Sequence, residues 1–300
     1  MIFSKGFKDT RFMENENQNK RLWVWWIVAI VLIVCVAALA IGCVSYIRQY
    51  ERQAVKPEQT TAPVKPKTDR RYVYAGNPKP MPAFPYQIHV LTNIGYVVGY
   101  CEERKDPVWV GYRLFKVSNL QAPKRPDQFI MDARTSARVV SADYTGSGYD
   151  RGHMAPNYAI AICYGKDAQL QTFLMSNIIP QRSKLNRGIW NNLEQMEIRK
   201  YAQELEEIWV LTGGIFEGTN RLASGVNVPS ACYKIIVDEL NGSPRILAFI
   251  IGQNITGEEN FTNFLTSVDK IELKTGFDFL SELPDDIENR VEAQVPERLW

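Results

Sequence analysis

Histidine is nearly absent from this chain, with only His89 and His153 in 300 residues. That excludes a zinc site built from several imidazoles. Cysteine is sparse as well. Cys35 and Cys43 lie in an apolar run, and Cys101, Cys163 and Cys232 are scattered, with no CxxC pair and no zinc-ligand spacing. Those three are either buried thiols or include one disulfide, and the sequence does not choose. A global basic field is missing, since the net charge is only +2. Residues 1–71 hold 12 basic and 6 acidic residues, which leaves −4 for residues 72–300. A nucleic-acid partner of that C-terminal part must therefore meet a local basic patch. No repeat is present, and 45% apolar residues exclude a largely disordered chain.

One long apolar run stands out. Residues 22–47 carry no charge, and ~20 such residues cross a ~30 Å hydrocarbon layer. Trp23, Trp25 and Trp26 flank one end and Tyr46 and Tyr50 the other, as interfacial aromatics do. The run reads as a single transmembrane helix. Lys5, Lys8, Arg11, Lys20 and Arg21 precede it, against Arg48, Arg52 and Lys56 after it. This bias makes residues 1–21 a cytoplasmic tail and puts the C-terminal domain on the extracytoplasmic side. A cleaved signal, or lipid attachment at Cys43, is the alternative. Residues 48–85 then read as a semi-extended tether, with prolines at 57, 63, 66, 78, 80, 82 and 85.

Residues 86–300 read as one α+β domain. Ile94–Tyr100 and Val108–Phe115 predict two strands across a charged turn, and Ile208–Thr212, Cys232–Val237 and Arg245–Ile251 predict three more. Asp167–Leu174, Ile189–Leu205, Asn260–Lys270 and Phe277–Ile287 carry helical signals. Gln121–Asp143 is polar and irregular. Strands and helices without regular alternation point away from a parallel sheet.

The chemistry concentrates in two segments. The first is DRGHMAP, residues 150–156. An imidazole is the usual base near neutral pH, so His153 is a candidate to deprotonate water. Arg151 offers a planar donor fork suited to phosphate, Asp150 can orient a neighbour, and Gly152 allows a close backbone approach. The second is SNIIPQRSKLNRGIWNNLE, residues 176–194. It mixes amide oxygens, cations and a carboxylate. Arg182, Lys184 and Arg187 supply local positive charge. Mg²⁺ needs few protein ligands, and an amide oxygen suffices as one of them. Asn186 and Glu194 are eight residues apart, about 12 Å of rise on a straight helix. Asn186 is therefore read as the direct ligand, before the helix starts, and Glu194 as acting through the ion's water shell. Trp190 and Leu193 read as core.

These two segments, in this order and at this spacing, resemble the signature of the DNA/RNA non-specific endonuclease family. The likeness runs from about Tyr96 to Glu282 and includes WVGYRL (109–114), VLTGGIF (210–216), VPSACYKIIV (228–237) and KTGFDF (274–279). It implies a ββα-metal (His-Me finger) fold with a central antiparallel sheet. It implies a metal-dependent endonuclease that hydrolyses DNA and RNA to 5′-phosphate products. His153 would be the general base, with Asn186 the ligand of one Mg²⁺, for which Mn²⁺ can substitute. Glu194 would contact the metal's waters, and Arg151 and Asn177 would position substrate or active site. Arg125 and Arg134 are both candidates for the upstream arginine on the scissile phosphate. The resemblance also admits a homodimer and a proteinaceous inhibitor as partners. The rival reading is a non-catalytic nucleic-acid-binding module of a surface DNA-uptake system.

Overall fold

The computed structural model describes residues 72–240 and 242–300. Residues 1–71, with the apolar run at 22–47 and most of the proline-rich segment, lie outside the described residues. Among the described residues, no helix is long and apolar enough to cross a membrane. In chain order the elements are β1 (Lys79–Pro80), β2 (His89–Asn93), β3 (Tyr96–Cys101), β4 (Asp106–Phe115), β5 (Asp150–His153), α1 (Asn157–Tyr164), α2 (Lys166–Gln171) and β6 (Ile178–Gln181). A wide helical turn, Leu185–Trp190, leads into α3 (Asn191–Met196), a second wide turn (Glu197–Tyr201) and α4 (Ala202–Glu204). Then come β7 (Glu207–Ile215), β8 (Ala231–Leu240), β9 (Ser243–Gly252), β10 (Leu265–Thr266), α5 (Val268–Thr275), β11 (Phe277–Asp278) and α6 (Asp285–Glu292).

Seven strands form one sheet in the order β10-β9-β8-β7-β4-β3-β2, with every neighbouring pair antiparallel. Side chains alternate across a strand, so the sheet feeds two cores. Val110, Tyr112, Leu114, Val210, Cys232 and Ile236 face one side, where Ile189, Trp190, Leu193 and Ile198 of the long helical segment cover them. Trp109, Leu211, Tyr233, Ile235 and Val237 face the other, under Val268, Ile271, Phe277 and Val291 of the C-terminal elements. Gly99 has no side chain because the Trp109 indole occupies the space, with ring atoms 2.1 Å from where its Cβ would stand.

A separate two-stranded ribbon, β5 with β6, pairs Asp150 with Gln181 and His153 with Ile178. The helical segment from Leu185 follows directly. Ribbon and helix together make the ββα unit, and the two segments singled out in the sequence are its two halves.

The structure moves three boundaries. Residues 72–85 are not all tether. Tyr72 and Val73 are buried, and β1 pairs with β11. Proline composition hid this, because a two-residue edge strand needs little donor capacity. The helical signals at Asn260–Lys270 and Phe277–Ile287 also shift. Asn260 caps only a short 3-10 turn (Phe261–Phe264) before β10. Gly276, in the left-handed region at φ 77°, ends α5, and Pro284 precedes α6. Third, the strand expected at Ile94–Tyr100 is β3 and starts at Tyr96, because Ile94 and Gly95 form a hairpin turn, and β2 (His89–Asn93) before that turn is a strand the sequence did not announce. Cys101, Cys163 and Cys232 are free thiols.

Candidate active site

The ββα unit lines one side of a cleft of about 520 Å³, whose walls include Arg125, Phe129, Asp150, Arg151, His153, Tyr158, Asn186, Arg187, Asn191 and Glu194. His153 ends β5 and is 8% exposed. The Phe129 and Phe173 rings flank it, with centroids 5.4 and 5.0 Å from its own. Its Nε2 is buried without a partner. Burial first, and then the Arg125 charge, push the imidazole down to about 3, so the ring is neutral at neutral pH.

The backbone beyond His153 is clamped by Asn177. Its Oδ1 accepts from Ala155 N at 2.8 Å, and its Nδ2 donates to Ala155 O and Thr172 O. Asn177 is fully buried and absent from the cleft wall. It is therefore a positioning residue and not a substrate contact. Gly152 is required by close packing, since a Cβ there would stand 2.0 Å from Gln181 Oε1.

Asp150, at the start of the same strand, organises the helical part of the unit. It accepts from Arg187 Nε and Nη2 at 2.8 and 2.7 Å and from Asn186 Nδ2 at 3.1 Å. Burial alone would raise its carboxyl, but the hydrogen bonds from Arg187 and Asn186 outweigh it and hold it below the usual range. With Nδ2 engaged, Asn186 offers its Oδ1 as a ligand. The backbone leaves helical geometry at Gly188 (φ −97°, ψ −108°). The straight-helix constraint therefore does not apply, and Asn186 and Glu194 face the same cleft. Asn191 joins Glu194 one helical turn earlier, a spacing of three that the sequence reading passed over.

The oxygens of Asn186, Asn191 and Glu194 suit a hard cation such as Mg²⁺. Burial pushes the Glu194 carboxyl up to about 8, and nearby Glu197 adds to this against the opposing charges of Lys234 and Arg125. A carboxylate so placed is short of positive charge, which a divalent ion supplies. Behind it, Lys234 and Glu197 form a fully buried pair at 2.6 Å, with Tyr112 donating to Glu197 at 2.7 Å and the Trp190 ring 4.5 Å from the Lys234 ammonium.

The two upstream arginines separate cleanly. Arg125 lines the cleft and stacks over Phe173 at 5.1 Å. Arg134 does not reach it. Asp132 holds it through two bonds of 2.9 and 2.7 Å, and Thr92 O and Asn93 Oδ1 take its other donors. Arg151 is at the cleft, anchored by Ser141 O. Arg182 rests over Tyr149 at 5.4 Å, and Lys184 is exposed. Neither lines the cleft; of the three cations named in the sequence only Arg187 does, paired with Asp150, and Arg125 and Arg151 add positive charge beside it.

The family model described as DNA/RNA non-specific endonuclease matches residues 77–286. A nuclease of Nostoc sp. is 30% identical over 219 residues, covering 69% of this chain and 78% of the relative. The nuclease of Serratia marcescens is 30% identical over 198 residues, covering 62% and 73%. Human mitochondrial endonuclease G is 29% identical, covering 63% and 68%. Among solved structures, the EndoG/EndoGI complex, described as showing the mechanism of EndoG inhibition, aligns with a TM-score of 0.64 at 25% identity. That alignment covers 76% of this chain and 96% of that one. Cleft, ββα unit and relatives agree, and the chain belongs to the DNA/RNA non-specific endonuclease family.

Proposed function

We propose that this nuclease cleaves DNA and RNA without regard to sequence or sugar, using His153 as general base and one Mg²⁺ held by Asn186. The observation that carries the reading is the convergence of a buried neutral imidazole, three arginines and three oxygen donors on one cleft. Arg125 and Arg151 draw the scissile phosphate against the His153 ring. Burial is the main cause that holds His153 down and the Arg125 charge the second; the phosphate charge offsets the second of these. His153 then takes a proton from water as the water oxygen bonds to phosphorus and the bond to the 3′ oxygen breaks. The product keeps its 5′-phosphate. Glu194 and Asn191, which line the same cleft as Asn186, would face the water shell of an ion held there. When bound, the metal neutralises charge growing on the phosphate and the departing oxygen. None of these contacts reads a base or a 2′-hydroxyl, which fits a lack of discrimination.

The test uses the full chain with supercoiled plasmid, single-stranded RNA and Mg²⁺. Nicking of both is expected. His153→Ala should lower the rate by roughly 10²–10⁴-fold, the usual worth of a general base, and Asn186→Ala should abolish the Mg²⁺ response. Binding without nicking by the unaltered chain would favour the nucleic-acid-capturing module. We also infer that residues 22–47 anchor the nuclease with its domain outside the cytoplasm, supported by their uncharged apolar sequence. Added protease should then remove the domain from intact cells, and full protection would refute this topology.

A further inference from the structure

The far side of the sheet carries a second cluster of oxygen ligands that the nuclease reaction does not use. Carboxylate oxygens of Asp269, Glu272 and Glu292 lie within 4.8 Å of one another. Asp269 and Glu272 sit one turn apart on α5, and Glu292 closes α6. Acidic groups often gather on a surface without purpose, but Glu292 is not on the surface. It is 5% exposed, and its Oε1 is buried with no hydrogen-bond partner. A buried carboxylate in that state calls for a cation or a proton. Glu288 and Asp278 add to the negative field on Glu292, and Lys79 acts on Glu288.

We propose that Asp269, Glu272 and Glu292 form a second divalent-cation site, selective for Ca²⁺, that ties α5 to α6 away from the nuclease cleft. Three hard oxygens with no imidazole or thiolate exclude a preference for zinc or copper. Ligand number decides between the two common hard ions. Three carboxylates, with oxygens no more than 4.8 Å from one another, can lend up to ~6 oxygens, which suits Ca²⁺, whereas Mg²⁺ keeps several waters and usually takes one or two carboxylates. Burial, with the neighbouring acids, pushes the Glu292 carboxyl up to about 9 and Glu272 up to about 7, as expected of groups waiting for a positive partner. Glu272 already accepts from Phe279 N at 2.8 Å, so the ion would also fix the turn after β11.

Calorimetric titration with Ca²⁺ tests this in the full chain carrying Asn186→Ala and Glu194→Gln, which silence the cleft. One Ca²⁺ per chain should bind, with a Kd on the order of 10⁻⁴ M. The melting temperature should rise by roughly 5–10 °C at 100-fold excess. Adding Asp269→Asn, an exposed and conservative change, or Glu292→Gln should remove both signals. In an otherwise unaltered chain, those two substitutions should leave Mg²⁺-supported cleavage unchanged. Absence of Ca²⁺ heat, or a melting shift that survives both substitutions, would overturn the site and leave carboxyls that share a proton.

Discussion

The two faces of the central sheet treat buried charge in opposite ways. Behind the cleft, Lys234 and Glu197 neutralise each other at 2.6 Å and share Tyr112. On the far face, Glu292 is also buried, at 5% exposed, yet the groups acting on it are acids. The first arrangement is complete within the chain and serves to hold the helix that carries Glu194 against the sheet. The second is incomplete, and its shortfall is of the kind that a ligand meets. Burial alone does not tell a structural charge from a binding one. The identity of the neighbours does.

The contrast can be broken most forcefully at Lys234. Lys234→Met should cost about 3–5 kcal/mol in urea unfolding, because it strands Glu197 in a dry site. Adding Glu197→Gln should recover part of that loss. A neutral single mutant would mean the pair is not self-sufficient, and the comparison would fail. Next in size is a contrast within the cleft side. Arg125→Ala should reduce kcat/KM by ~10²-fold, about 2.7 kcal/mol in the transition state, with little change in melting temperature. Arg134→Ala should do the reverse. It should cost about 1.5–3 kcal/mol of stability, from the lost charged hydrogen bonds to Asp132, and preserve activity per folded molecule.

Acid gives a smaller effect. His153 has a folded value near 3 against an ordinary 6.5, so the unfolded chain binds the proton first. Stability is therefore undiminished above about 6.5 and falls as pH drops towards 3. At pH 5 the loss should be about 2 kcal/mol, seen as a difference in pH slope between the unaltered chain and His153→Asn. Identical slopes would remove His153 from the account. The smallest effect is expected at Asp269→Asn in Ca²⁺-free buffer, within about 0.5 kcal/mol, as for most exposed changes. A larger loss without Ca²⁺ would show that Asp269 has a partner within the chain.

Much of this organisation is legible in the sequence, and the failures have physical causes. Strands β3, β4, β7, β8 and β9 show as apolar runs ending in turn residues, because each is buried on one or both faces. DRGH and the segment around Asn186 mark the site because their residue types are unusual together. Arg125 and Arg134 are indistinguishable in sequence, since only the fold shows that Asp132 takes one of them. Asn177 reads in sequence as positioning either substrate or active site, and only the fold shows its three amide bonds spent on the backbone. Phe129 and Phe173, which flank the imidazole, come from segments with no chemical signature. The pairing of Lys79–Pro80 with Phe277–Asp278 joins residues too far apart for local pattern to show.

The break in the helix at Gly188 makes the segment a matter of counting. Each residue of helix turns its successors by about 100°. One residue inserted or removed between Asn186 and Asn191 would swing the amide oxygen away from the carboxylate. Homologues should then tolerate a change of residue type at the exposed Arg187 far better than a change in the length of this stretch, and a one-residue deletion there should silence the enzyme.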